Sequence, residues 1–383
     1  MYDTGASDLH TISGNPPILR IRGDMERVKY KVLEHQELKA MLFEICPEDK
    51  AKIFEETGDI DFGYEIPGLA RYRVNFYMQK NGIAAVFRQI PSKILTVEEL
   101  GLSPTVSKLV LLKKGLVLVT GPTGSGKSTT LAAIVDHANK VRRDNIITIE
   151  DPVEFIHQSQ NCVISHREVG RDTRSFAAAL RGALREDPDI ILVSEMRDRE
   201  TLEIGLSAAE TGHLVLSTLH TVDAGQTINR VIGMFDKDEE RMVRMCLADT
   251  LRWVISQRLL PRVGGGRVAA LEIMGMNLRI EEVILNGESE GKTFYEIIQD
   301  GEALGMQTFD THILRLFQEG LITEETALSY ASKRSVVARG LDTIKATKGE
   351  KTSDIEGLAL DADYGRKPRQ PGVPLRPGPP PKR

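Results

Sequence analysis

Eight consecutive residues, Gly121, Pro122, Thr123, Gly124, Ser125, Gly126, Lys127 and Ser128, match the spacing GxxxxGK[ST]. Small residues let successive backbone N–H groups converge on phosphate oxygens at a helix N-terminus. Lys127 then supplies a cation for the β- and γ-phosphates, and the Ser128 hydroxyl is placed to ligate Mg²⁺. Thr129 carries the cradle into the helix. The loop follows the apolar run GLVLVT and opens a segment of helical periodicity, which is the context the motif requires. These residues point to ATP and Mg²⁺. A guanine pocket is disfavoured, because Asn139 and Lys140 continue with Val141 and Arg142 rather than as NKxD.

Carboxylates recur at the ends of other apolar runs. In doubly wound sheets ligands sit beyond the carboxyl ends of the strands, so Glu150, Asp151, Glu195 and His220 should gather near the phosphates. Glu195, after IILVS, occupies the place of the acid that positions Mg²⁺ or water, with Ser194 where an aspartate is more usual. Glu154 lies beyond Pro152, where a carboxylate could activate an attacking water. Any one of these acids alone could equally be a helix cap or a solvated turn. Three such strands around one phosphate loop favour chemistry. His213 and His220 bracket LVLSTL and would stand about 23 Å apart in an extended strand, so they cannot share one ligand. His220 is the candidate γ-phosphate sensor. For His213 a loop or subunit contact and a hydrogen-bonded core histidine stay open.

The elements that must hold these groups read as an α/β fold. Continuous apolar runs at 115–121, 145–151, 189–195 and 214–220 alternate with helices predicted at 128–139, 175–185, 199–210 and 238–258, and more within 278–337. Such runs indicate a parallel sheet covered on both faces. Before them lies a small α+β domain over 1–94, helical near 33–54 and with strands at 18–22 and 70–77. In ARYRVNFY, Tyr72, Val74 and Phe76 alternate with Arg71, Arg73 and Asn75, so a strand buries one face and presents both arginines on the other. Arg88 closes a second apolar run. Residues 95–107 read as a linker, 108–346 as the ATPase domain, and 347–383 as a disordered, proline-rich basic tail with seven prolines between 368 and 381.

Composition narrows the classes. With 41% hydrophobic and 27% charged residues the chain is globular in type. Three scattered cysteines form no CxxC pair, which excludes a disulfide framework and a four-cysteine zinc site and suits a reducing compartment. Net charge is −5, and residues 366–383 carry six basic side chains and no acid, leaving the remainder with 44 basic against 55 acidic groups. That body is no nucleic-acid surface. With no apolar run of about 18 residues and no apolar leader, the chain is expected neither to span a membrane nor to be exported.

Several stretches together resemble the secretion-type traffic ATPases, and within them the type IV pilus retraction ATPases. GPTGSGKSTTLAA, TIEDPVEF, REDPDIILVSEMRD and TGHLVLSTLHT are similar to that family's Walker A, Asp box, atypical Walker B and His box. GASDLH, ARYRVNFY, FRQIPSKILTVEELGL, GGGRVAALEIM and GMQTFD extend the likeness from about Gly5 to Ile322. The resemblance implies a PAS-like N-terminal domain joined to a RecA-like P-loop ATPase domain. It also implies a cytoplasmic homo-hexamer, peripheral at the inner membrane, that docks on a pilus platform protein and powers pilus retraction and twitching, with a paralogous retraction ATPase as a possible partner. By the same resemblance Glu154 is the general base, Glu195 the Walker B acid, His220 the second histidine of the His box, and Arg71, Arg73 and Arg88 the arginines that reach the nucleotide from the N-terminal domain. The alternatives are an assembly or type II secretion motor, against which the missing CxxC argues, and an accessory subunit that binds ATP without turnover. The chain departs from the family in starting without the helix that precedes GASDLH, in LRIEEVILNGES where an AIRNLI-like motif is usual, and in its proline-rich tail.

Overall fold

In a computed structural model, which describes residues 1–21, 23–90 and 93–349, the chain builds two sheets. The proline-rich stretch expected at the C-terminus lies outside the described residues. The first sheet uses β1 (Asp8–Ile12), β2 (Ile18–Ile21), β3 (Asp24–Arg27), β4 (Asp59–Ile66), β5 (Ala70–Gln79) and β6 (Gly82–Ile90), in the order β3-β2-β1-β6-β5-β4. All its pairings are antiparallel. Helices α1 (His35–Phe43) and α2 (Glu48–Thr57) cover one face. β5 shows why that face is chosen, since Tyr72, Val74 and Phe76 are buried while Arg71, Arg73 and Asn75 point the other way. Phe76 makes edge-to-face contacts with Phe54 of α2 and Phe62 of β4, with centroids 6.2 and 5.1 Å away.

After α3 (Pro104–Lys108) the second sheet begins with β7 (Gly115–Thr120). It continues with α4 (Lys127–Val141), β8 (Asn145–Glu150), β9 (Val163–Glu168), α5 (Phe176–Ala183), β10 (Ile190–Val193), α6 (Arg199–Glu210), β11 (Leu214–Leu219), α7 (Ala224–Ile232), α8 (Glu240–Thr250), β12 (Leu251–Pro261) and β13 (Arg267–Gly275). The order is β13-β12-β7-β11-β10-β8-β9, parallel throughout except for the β12/β13 pair. Apolar clusters lie on both faces, so every residue of β7, β10 and β11 is buried and the strands carry no polar alternation. Val97, Leu102 and Val106 join one of these clusters, so residues 95–107 pack against the sheet. Helices α9 (Leu278–Asn286), α10 (Phe294–Asp300), α11 (Phe309–Gln318), α12 (Glu324–Tyr330) and α13 (Arg334–Thr347) complete the chain.

The helix expected over 238–258 is corrected. α8 stops at Thr250, and the following residues run as β12 beside β7, with Trp253 opposite Val117 and Ile255 opposite Val119. Leu251, Val254 and Ile255 gain complete burial by extending the sheet, and that tertiary pairing overrides a run whose apolar spacing suits either state.

Candidate functional site

The phosphate loop occupies the turn from β7 into α4. Its conformation demands glycine, because Gly121, Gly124 and Gly126 have φ values of 144°, 79° and 90°. At Gly121 and Gly126 space is equally restrictive. A Cβ would stand 2.4 Å from the Gln257 carbonyl oxygen at the first and 2.8 Å from Gln257 Nε2 at the second. Pro122, Thr123, Gly124 and Ser128 face solvent, whereas Ser125 and Lys127 are buried and Thr129 is half-buried. Lys127 Nζ donates to the carbonyls of Gly121 at 2.9 Å and Pro122 at 3.2 Å. Burial lowers its pKa, against the opposing charges of Glu195 and Glu154.

Two of the strand ends, those of β10 and β11, bring their side chains to this ammonium. His220, after β11, places Nδ1 3.5 Å from Lys127 Nζ and Nε2 3.1 Å from Glu195 Oε1. Glu195, after β10, has its other oxygen 2.7 Å from Arg197 Nε. Ser194 gives its carbonyl to the Thr218 hydroxyl at 2.6 Å, so it ties β10 to β11. His213, at the opposite end of β11, contacts the Ala208 carbonyl at 3.0 Å and belongs to the turn after α6.

Asp151, just past β8, is exposed, and Glu154 follows on the same loop. The Glu154 N–H donates to Glu150 Oε2 at 3.4 Å. Burial pushes the Glu150 carboxyl up to about 7, against the hydrogen bonds from Thr148 and Glu154. Beneath the loop, His166 bridges the Thr148 hydroxyl at 2.8 Å and the His157 N–H at 3.1 Å. Burial holds His157 down to about 4.

The arginines separate. Arg71 of the first sheet reaches Glu168 on β9 at 3.2 Å, with only 15% of its side chain exposed. It lines, together with Glu154, a cavity of about 390 Å³ between residues 65–71 and 154–158. All three pair inside their own sheet, Arg71 with Glu65 at 3.7 Å, Arg73 with Asp61 at 3.7 Å and Arg88 with Asp8 at 2.8 Å, and Arg71 alone of the three also makes the pair with β9. Burial raises the Asp8 pKa, but the Arg88 and Ser7 hydrogen bonds outweigh it and bring the carboxyl below its ordinary value.

The sequence reading missed Gln257. From β12 its Nε2 donates to the Ser125 carbonyl at 2.7 Å, and its Oε1 accepts from the Thr130 hydroxyl at 2.7 Å. The signal was SQRL at the end of an apolar run, hidden once that run was read as helix. Glu168 and Arg197 were missed as well.

A phosphate group suits this cradle. At Gly121 a Cβ would meet the backbone of Gln257, at Gly126 it would displace the Gln257 amide, and among the described residues the buried Ser125 hydroxyl has no hydrogen-bond partner. Mg²⁺ is ordinarily held by one or two carboxylates together with substrate phosphates, and Glu195 and Ser128 carry oxygen donors of that kind.

The profile of the type II/IV secretion system proteins matches residues 5–270. This chain belongs to that family. Among its secretion-family relatives is the type IV pilus retraction ATPase PilT of Pseudomonas aeruginosa, 51% identical over 323 residues that cover 84% of this chain and 93% of PilT. The type IV pilus ATPase PilU of the same organism is 38% identical over 363 residues, 94% of each chain. A crystal structure of the pilus retraction motor PilT with bound ADP superposes with a TM-score of 0.80 at 41% identity, covering 88% of this chain and 96% of that one. Among the described residues no helix is long and apolar enough to cross a membrane.

Proposed function

We propose that this secretion-family chain is an ATP-hydrolysing motor that powers type IV pilus retraction as a homo-hexamer at the cytoplasmic side of the inner membrane. The observation that carries the reading is the contiguous set Lys127, His220 and Glu195 at the phosphate loop, in a chain 51% identical to a retraction ATPase over most of its length. In this reading the first sheet and its helices form the PAS-like domain and the second sheet the RecA-like domain. Residues Gly121 to Thr129 grip the triphosphate. Lys127 exchanges its loop carbonyls for phosphate oxygens, so its charge is balanced by the ligand. Ser128 and Glu195 would hold Mg²⁺, which when bound neutralises charge on the β- and γ-phosphates. Glu154 takes the proton of the attacking water, and His220 joins the Glu195 carboxylate to Lys127 so that loss of the terminal phosphate is felt at β10 and β11. Arg71, Arg73 and Arg88 complete the site from the N-terminal domain when it closes. An inner-membrane platform protein receives the work.

An accessory, PilU-like role is the second reading. It is favoured by the 94% two-way coverage of PilU and by LRIEEVILN along α9. Magnesium-dependent ATP turnover by the purified full-length protein supports the motor; ATP binding without turnover supports the accessory role. Deletion of the gene should leave hyperpiliated, immobile cells, whereas bald cells would indicate assembly and overturn retraction.

A further inference from the structure

One carboxylate joins the two sheets. Glu168 closes β9, opposite Glu150 of β8, and is 7% exposed. Its Oε2 accepts from Arg71 Nη2 at 3.2 Å and from the Val153 N–H at 3.1 Å. Arg71 lies 97 residues away on β5 of the first sheet, and Val153 immediately precedes Glu154. The carboxylate is fixed from behind, because the Glu168 N–H donates to Asp172 Oδ2 at 2.9 Å and its carbonyl accepts from the Asp172 N–H at 2.8 Å. Room for the guanidinium comes from β4, where Gly63 sits opposite Arg73 and a Cβ would stand 3.0 Å from Arg71 Nη2. A buried carboxylate is costly unless paired and hydrogen-bonded, so neither partner can leave without a replacement.

We propose that Glu168 is a positioning residue that makes the docking of the N-terminal sheet and the setting of the Glu154 loop one event. With Arg71 seated, the shared oxygen holds Val153 and so orients Glu154 toward the cavity that Arg71 also lines. With Arg71 withdrawn, Glu168 turns to other donors and residues 151–156 lose their anchor. The seam thus ties the base carboxylate to the domain whose closure completes the site. The inference rests on the ATP-hydrolysing reading.

The test uses the full-length protein with Glu168→Gln, Glu168→Ala, Arg71→Ala and the Arg71→Ala/Glu168→Gln double variant. Two measurements are made: steady-state kinetics with MgATP, and amide exchange over residues 151–158. Glutamine keeps an acceptor for Val153 but weakens the arginine pair. It should lower kcat roughly tenfold while ADP affinity stays within about twofold, because the phosphate loop is untouched. Exchange over 151–158 should quicken about tenfold in Glu168→Ala and also in Arg71→Ala. The double variant should be no slower than Arg71→Ala alone. Multiplying kcat losses, or a glutamine variant with the parent's kcat, overturns the tie, and so does unchanged exchange in both alanine variants. If Glu168→Ala does not fold, Glu168→Gln and Arg71→Ala decide. Exchange needs no turnover, so a parent protein without ATPase activity would defeat the motor reading while the exchange result still judges Glu168.

Discussion

The phosphate loop and the Arg71–Glu168 seam solve the same problem, placing charge beside a ligand, by opposite means. The loop is local, with its glycines, Lys127 and Ser128 contiguous in sequence and formed by one strand-to-helix turn. The seam joins residues 97 apart across two sheets. A local device does its chemistry wherever the turn forms, whereas a seam exists only while two bodies are docked. The loop is therefore suited to gripping the ligand and the seam to reporting closure. Gln257 stands between these cases, since it braces the loop from β12 through two short hydrogen bonds but belongs to the same sheet.

The largest effect should come from the loop itself. Lys127→Ala should weaken ATP binding on the order of 100-fold, measured by calorimetry with magnesium present, because the triphosphate loses a buried cation. Tight binding by that variant would break the comparison at its first member. Glu195→Gln should keep ATP affinity within a few-fold yet slow single-turnover hydrolysis on the order of 100-fold. Parent-like turnover would remove Glu195 from the chemistry.

Gln257→Ala should sharpen the contrast between brace and grip. Losing two buried hydrogen bonds should raise KM for ATP roughly fivefold to tenfold and change kcat less. A kcat defect with unchanged KM would instead make Gln257 part of the closure apparatus. Among the arginines, Arg88→Ala should cost the fold about 1–2 kcal/mol by chemical denaturation, since the arginine is largely exposed but the Asp8 carboxylate it holds is buried.

The smallest effect concerns acidity under the Glu154 loop. Glu150 has a folded pKa of about 7 against an ordinary 4.5. Between these values the folded state binds more protons than the unfolded state, so this group's contribution to stability is complete below pH 4.5 and falls away as pH rises through 7. Glu150→Gln keeps an acceptor for the Glu154 N–H and escapes that loss. It should therefore raise Tm by about 2–4 °C more at pH 8 than at pH 5. An equal shift at both pH values would mean that the carboxyl is ionised throughout.

Much of the site was legible because its parts are short and their chemistry is carried by residue type. Apolar runs ending in Glu150, Glu195 and His220 could be aligned as parallel strands, and parallel strands bring their carboxyl ends together. The alternation in ARYRVNFY told which side of β5 would be buried. It did not tell that Arg71 would reach the second sheet as well as Glu65 of its own, while Arg73 and Arg88 paired within theirs. That depends on which surface lies opposite each guanidinium. β12 was misread for a related reason, since its neighbour β7 lies more than 100 residues earlier and pairing energy has no local trace.

What the chain encodes by itself is the phosphate grip, the strand-end acids and the parallel layering, since each follows from spacing over a few residues. What tertiary structure alone decided is which distant groups complete them: Gln257 behind the loop, His220 on Glu195, and Glu168 between Arg71 and Val153. Such pairings are set by the docking of separately formed elements, where desolvated charges must find partners and sequence distance carries no energy.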